Sequence, residues 1–119
     1  MSAMGKKPRV ELLQGTLDMI ILRTLALGRA HGHEIARHIQ RTTDNLLQVE
    51  HGSLYPALHR LERRGWLKAA WEAAPGGRRE FKYYRLTASG RRQLVRERSR
   101  WEQLSGAIGQ LLGAEEGRA

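Results

Sequence analysis

The chain contains no cysteine in its 119 residues. Disulfides, thiolate metal sites and cysteine nucleophiles are therefore excluded, and the composition fits a reducing compartment. No window of about 18 apolar residues occurs, so no membrane-spanning segment is expected. The N-terminus carries charge but no apolar run leading to a small-residue cleavage site, so no secretory signal is expected either. Phosphate loops of the GxGxxG or GK[ST] type are missing. Ser53 has His51 and His59 nearby, but no histidine–aspartate arrangement and no water-excluded pocket is evident around it. These absences leave no enzyme signature and call for no cofactor. They point to a soluble, cytoplasmic binding protein.

Acidic residues are few: 12 Asp plus Glu stand against 21 Lys plus Arg, a formal charge of +9. The excess is spread along the chain. Residues 1–9 carry Lys6, Lys7 and Arg9, residues 50–85 carry eight cations against four carboxylates, and residues 88–112 carry five arginines against two glutamates. A small, strongly basic chain points to a polyanionic partner, nucleic acid before an anionic membrane surface. At this length one domain with an added arm is expected.

In order, residues 1–9 read as a basic lead-in. From Val10 to Leu27 apolar residues crowd together, and the Gly28 stop favours a helix. Leu13, Leu17, Ile20, Ile21 and Leu25 form one stripe, with Leu12, Met19 and Leu22 outside it. Such a helix needs cover on two sides, and in a small domain the second cover is expected from another chain. After a turn at Gly28–Gly32, His33–Arg41 forms a second helix with Ile35, Ala36 and Ile39 inward. Thr42–Asn45 breaks it, and Leu46–Val49 is a short extended link.

The centre of the chain is EHGSLYPALHRLERRGW, residues 50–66. Ser53 is a good N-cap, Leu54, Leu58 and Leu61 share a face, and Gly65 sits where a left-handed stop is wanted. The other face presents Ser53, Tyr55, Pro56, His59, Arg60 and Arg63. An apolar back with a basic, hydroxyl-bearing front suits the major groove of DNA. Taken alone, this segment is better explained as an ordinary solvated helix surface. The residues after Trp66 reverse that balance. Leu67–Trp71 alternates, with Leu67, Ala69 and Trp71 on one side, and Phe81–Leu86 is a second strand. Between them Pro75-Gly76-Gly77 marks a turn, and Arg78 and Arg79 sit beside its tip. Helix, helix, basic helix and a basic-tipped hairpin is the order of a winged helix-turn-helix.

Thr87 is placed to cap a last helix from Ala88 to about Leu112. Leu94, Trp101, Leu104, Ile108 and Leu111 repeat at heptad-like spacing, and arginines occupy the other side. Pairing with a second copy is the expected use of so narrow a seam, with packing against the first helix of the same chain as the alternative. The expected architecture is thus mainly α with a small β-hairpin: an N-terminal arm at 1–9, a winged helix-turn-helix at 10–87, a dimerisation helix at 88–113 and a frayed tail at 114–119.

The segments LLQGTLDMIILRTLALG (12–28), HGSLYPALHRLERRGW (51–66) and GGRREFKYYRLTASGRRQL (76–94) together resemble the PadR family of bacterial transcriptional regulators. The resemblance is to its short-form members, which have a single C-terminal helix. It implies a homodimer that binds a palindromic operator in double-stranded DNA and represses, associated with the nucleoid when bound. It carries Ser53, Tyr55, Pro56, His59, Arg60 and Arg63 over as recognition-helix residues, and Arg78, Arg79 and Lys82 as wing residues. Trp101 matches a tryptophan that in some relatives stacks flat aromatic ligands in a cavity at the dimer interface. Leu12 and Met19 would sit near it, and Leu94, Leu104 and Ile108 would continue the seam. Plain dimer packing and an aromatic or hydrophobic effector both fit that position. The family pattern His-Gly-Tyr is here His31-Gly32-His33, which unsettles any contact assigned to the tyrosine. Two other readings stand behind this one. A winged helix can serve protein or RNA interaction with no specific operator. His31, His33 and His38 invite a metal-responsive regulator, but without cysteine or a clear carboxylate partner no metal site is expected.

Overall fold

A computed structural model describes residues 14–116 of the chain, with side chains to residue 113. Leu12, the basic arm and the last three residues lie outside the described residues. Four helices and three short strands follow one another. They are α1 (Gln14–Ala26), β1 (Ala30–His31), α2 (Gly32–Thr42), α3 (His51–Arg63), β2 (Leu67–Ala73), β3 (Glu80–Leu86) and α4 (Ala88–Glu116). The strands form one antiparallel sheet in the order β1-β3-β2.

The core lies where α1, α2 and α3 meet the inner face of the sheet. Ile21 and Leu22 of α1, Ile35 of α2, and Leu54, Leu58 and Leu61 of α3 are fully buried there. Leu67 and Tyr84 close it from the sheet side. Leu22, which falls outside the main stripe of α1, is thus buried within its own chain. Part of the second cover expected from a partner is supplied at home, by the start of α4 packing on α1.

Local rules set the boundaries. Gly28 ends the turn after α1, and Ala30 and His31 then pair with Tyr84 and Tyr83 as a two-residue strand. Nothing in the sequence pattern announces so short an element. His31 next caps α2 reciprocally. Its Nδ1 accepts from the Glu34 backbone N–H at 3.4 Å, while the Glu34 carboxylate accepts from the His31 N–H at 3.1 Å. Two orphan donors of the first turn are satisfied at once. At the far end Asp44 and Asn45 adopt positive φ, as those residue types tolerate. Thr43 then ties the link down: its hydroxyl donates to the Ile39 carbonyl at 2.8 Å and accepts from the Leu47 N–H at 3.1 Å.

Ser53 is not the N-cap of α3. The helix begins at His51, Glu50 is the cap residue, and no side chain caps the turn. The Glu50 carbonyl accepts from both Ser53 and Leu54 N–H at 2.9 Å. Pro56 is therefore inside the helix, where it cannot donate to the Gly52 carbonyl. The helix stops as expected. Gly65 has φ +78°, and the N–H groups of Gly65 and Trp66 return to the carbonyls of Glu62 and Leu61, the paired bonds of a left-handed stop.

The hairpin is longer than the alternation suggests. The β2–β3 register runs from Leu67 opposite Leu86 to Ala73 opposite Glu80. Leu67 and Ala69 face the core, but Trp71 is 66% exposed because the hairpin has by then left the helices behind. Thr87 caps α4, accepting from the Gly90 N–H at 2.9 Å and donating to the Gly65 carbonyl at 2.7 Å. A Cβ at Gly90 would overlap the Trp66 carbonyl and lie 2.8 Å from Leu86. Helix α4 is thus seated directly on the junction that ends α3. It continues to Glu116, past the expected end, and beyond Trp101 its large apolar side chains stand exposed.

Candidate nucleic-acid interface

The back of α3 is sealed by Leu54, Ala57, Leu58 and Leu61. The helix can therefore turn only its other face outward, and Ser53, Pro56, His59 and Arg63 are all exposed there. Tyr55 is 39% exposed. Its ring lies over the start of α2 so closely that a Cβ at Gly32 would sit 2.6 Å from the hydroxyl oxygen. Tyr55 thus fixes the angle between α2 and α3 while keeping an edge in solvent.

Arg60, expected on the front, turns the other way. Its guanidinium donates to the Asp18 carboxylate of α1 at 2.5 Å, with the two side chains 21% and 10% exposed. Arg60 Nε is buried without a hydrogen-bond partner among the described residues. The reason is position on the helix. Residue 60 lies between Ala57 and Leu61, at the edge of the buried stripe, and Asp18 is a buried charge that requires a counterion. Arg60 is a clamp between α1 and α3.

In the wing, Arg78 and Arg79 are exposed at the hairpin tip, and Arg79 lies 5.8 Å from the Phe81 ring centroid. Lys82 is not a free wing cation. It pairs with Glu62 of α3 at 3.6 Å and stands 5.5 Å over the Tyr84 ring, bracing the hairpin against the helix. Burial pushes the Tyr84 hydroxyl above its ordinary pKa. The wing has a second anchor at Glu72. Its carboxylate accepts from Arg85 at 2.6 and 3.1 Å and from Arg29 at 2.6 Å. The hydrogen bond from Arg85 is the main cause holding the Glu72 carboxyl below its ordinary 4.5.

Sequence reasoning missed a row of rings between wing and α3. Phe81 of β3 stacks on His31 at 4.4 Å, His31 lies 6.5 Å from His33, His33 is 6.3 Å from His51, and His51 is 5.6 Å from Tyr55. Tyr83 meets His31 edge-on at 5.4 Å. The departure at His33 from the family tyrosine is the signal that could have found it. His38, weighed with His31 and His33, is instead on the α2 flank that lines a cavity. Among the described residues no group of three His, Cys, Asp or Glu is placed to hold a metal.

That cavity, of about 300 Å³, lies between α1, α2 and α4. Met19, Ile20, Ile39, Leu47, Leu94 and Trp101 give it an apolar lining, and Arg23 and Arg98 stand at it. It brings together Met19, Leu94 and Trp101 of the expected seam. Leu104 and Ile108 lie farther out on α4, 52% and 45% exposed. Among the described residues, no helix is long and apolar enough to cross a membrane.

Residues 21–96 match the profile of the transcriptional regulator PadR-like family. A transcriptional regulator of Mycobacterium tuberculosis is 33% identical over 99 residues, covering 80% of this chain and 84% of that protein. A transcriptional regulator from Clostridium thermocellum has a similar structure, with a TM-score of 0.74 at 31% identity over 82% of this chain and 93% of that one. A PadR-like transcriptional regulator from Bacillus cereus also gives a TM-score of 0.74, at 27% identity over 84% and 94% of the two chains.

Proposed function

The chain belongs to the PadR-like family of transcriptional regulators, and from that premise we propose that it is a homodimeric repressor of a palindromic operator. In this reading α3 enters the major groove and the hairpin touches the adjacent minor groove or backbone. The observation that carries it is the one-sidedness of α3. Four apolar residues seal its back, while Ser53, Pro56, His59 and Arg63 stand exposed beside the wing arginines. Arg63, Arg78 and Arg79 have no carboxylate partner among the described residues, so their charge is available for phosphates. Phosphate contacts supply affinity, and side chains at base edges supply discrimination.

The dimer is supported by α4, whose Trp101, Leu104, Ile108 and Leu111 remain exposed along one seam. A ligand response is supported by the cavity at Trp101. An aromatic or hydrophobic effector there would change the setting of α4 and hence the separation of the two α3 helices. A coupling of about 1–3 kcal/mol is enough for regulation.

The test is selection of duplex DNA from a random library at about 150 mM salt, a concentration that suppresses phosphate-only binding. An enriched inverted repeat, with half-sites about one helical turn apart, is the expected result. Salt-sensitive binding with no enriched sequence would overturn the operator reading in favour of an interaction module.

A further inference from the structure

We infer that His33 and His51 form a proton-linked contact for the DNA backbone, joining the wing to α3 in one continuous interface. The inference rests on the DNA-binding reading above and adds to it a site and a condition.

The geometry is the row of rings. It starts at Phe81, under the guanidinium of Arg79, crosses the start of α2 at His31 and His33, and ends on α3 at His51 and Tyr55. Its two ends belong to the two elements that face DNA in this fold, so a duplex touching both passes over its middle. His33 and His51 are exposed at that middle, whereas the His31 side chain is 14% exposed and is engaged by Glu34 as the cap of α2. A neutral imidazole offers one N–H donor, and a protonated one offers two donors and a positive charge. A phosphodiester oxygen is matched by the second form.

Charges on the surrounding elements set the balance. Glu34 and Arg37 lie on α2, Glu50 precedes His51, Arg79 and Glu80 stand where β3 begins, and Arg29 covers the Tyr83 ring at 4.0 Å. Two imidazolium cations about 6.3 Å apart repel each other, and an anion laid across them offsets that repulsion. DNA therefore favours the protonated pair, and by linkage protons favour the DNA complex. Affinity rises as pH falls through the histidine range.

The experiment measures binding of a fluorescent mixed-sequence duplex of about 30 base pairs at about 50 mM salt, from pH 8 to pH 6, so it needs no known operator. The full chain is compared with His33→Phe/His51→Phe, which keeps the rings and removes the protons. The wild-type protein is expected to bind roughly five- to tenfold more tightly at pH 6 than at pH 8. The double variant is expected to lose most of that slope. A Gln/Gln variant, melted at both pH values to verify its fold, must give the same flattened profile. An unchanged slope in the folded variants would overturn the inference and leave the DNA-binding reading standing. Absence of duplex binding at every pH would overturn both.

Discussion

The two ends of the molecule treat the same kinds of side chain in opposite ways. From Leu17 to Leu67 the leucines and isoleucines of the core are 0–5% exposed. On α4 beyond Leu94, Trp101, Leu104, Ile108, Leu111 and Leu112 are 45–74% exposed. Periodicity does not distinguish them, since both sets repeat at helical spacing. The difference is a second layer. In the winged-helix body each apolar stripe faces another element, and burial there contributes about 25 cal/mol per Å². Outer α4 lacks such a layer beyond Trp101, which lines the cavity against α1 and α2, so the rest of its seam, exposed among the described residues, contributes only when another surface covers it.

That contrast is sharpest when tested by truncation. Leu58→Ala, in the sealed body, should cost about 2–5 kcal/mol of folding stability by urea denaturation. Leu111→Ala, 74% exposed on α4, should change monomer stability by no more than about 0.5 kcal/mol. Comparable losses at the two sites would break the comparison.

Within α3 the same contrast operates one turn apart. Asp18→Asn leaves the Arg60 charge half-buried and unpaired, and should cost about 1–3 kcal/mol of stability. Arg63→Ala should leave the melting point nearly unchanged and weaken duplex binding, with the salt slope falling by about one phosphate contact. A drop in melting point for Arg63→Ala would place that residue among the clamps.

Leu104→Lys sets a charge on the outer seam. It should lower the dimer fraction in sedimentation and remove any concentration dependence of the melting point, with the helical signal retained. A dimer that survives would place the contact elsewhere.

The smallest effect concerns the wing anchor. Because the folded-state pKa of Glu72 lies below its unfolded value, the anchor stabilises fully above about 4.5. That stabilisation fades as pH falls through the lower, folded value. The gap in melting point between wild type and Glu72→Gln should therefore be present at neutral pH and close below that range.

Much of the fold is legible in the residues alone. The order of elements, the Gly65 stop, the Thr87 cap and the wing turn each rest on local rules carried by one or two residues. What escapes depends on contacts distant in sequence. Arg60 and Arg63 look alike on a helical wheel until Asp18, 42 residues away, claims one of them. Asp18, the one carboxylate between Gln14 and Ala26, is the local sign of it. Ser53 has a strong preference for caps, but Pro56 removes only one helical bond, and the helix reaches back to His51. The strand at Ala30–His31 exists because β3 offers it a partner, not because two residues prefer it. Trp71 follows the strand alternation correctly and is still exposed, because alternation does not say where the covering layer ends.

The seat of α4 has one more implication. Its first turn is locked by Gly90 and Thr87 onto the residues that close α3, leaving almost no slack at that point. A helix of 29 residues is about 43 Å long at 1.5 Å per residue. It behaves as a crank pinned at one end, and a tilt of about 5° at the pin swings its tip by about 4 Å. Run in reverse, a displacement imposed at the tip comes back to α3 as a small, stiff rotation.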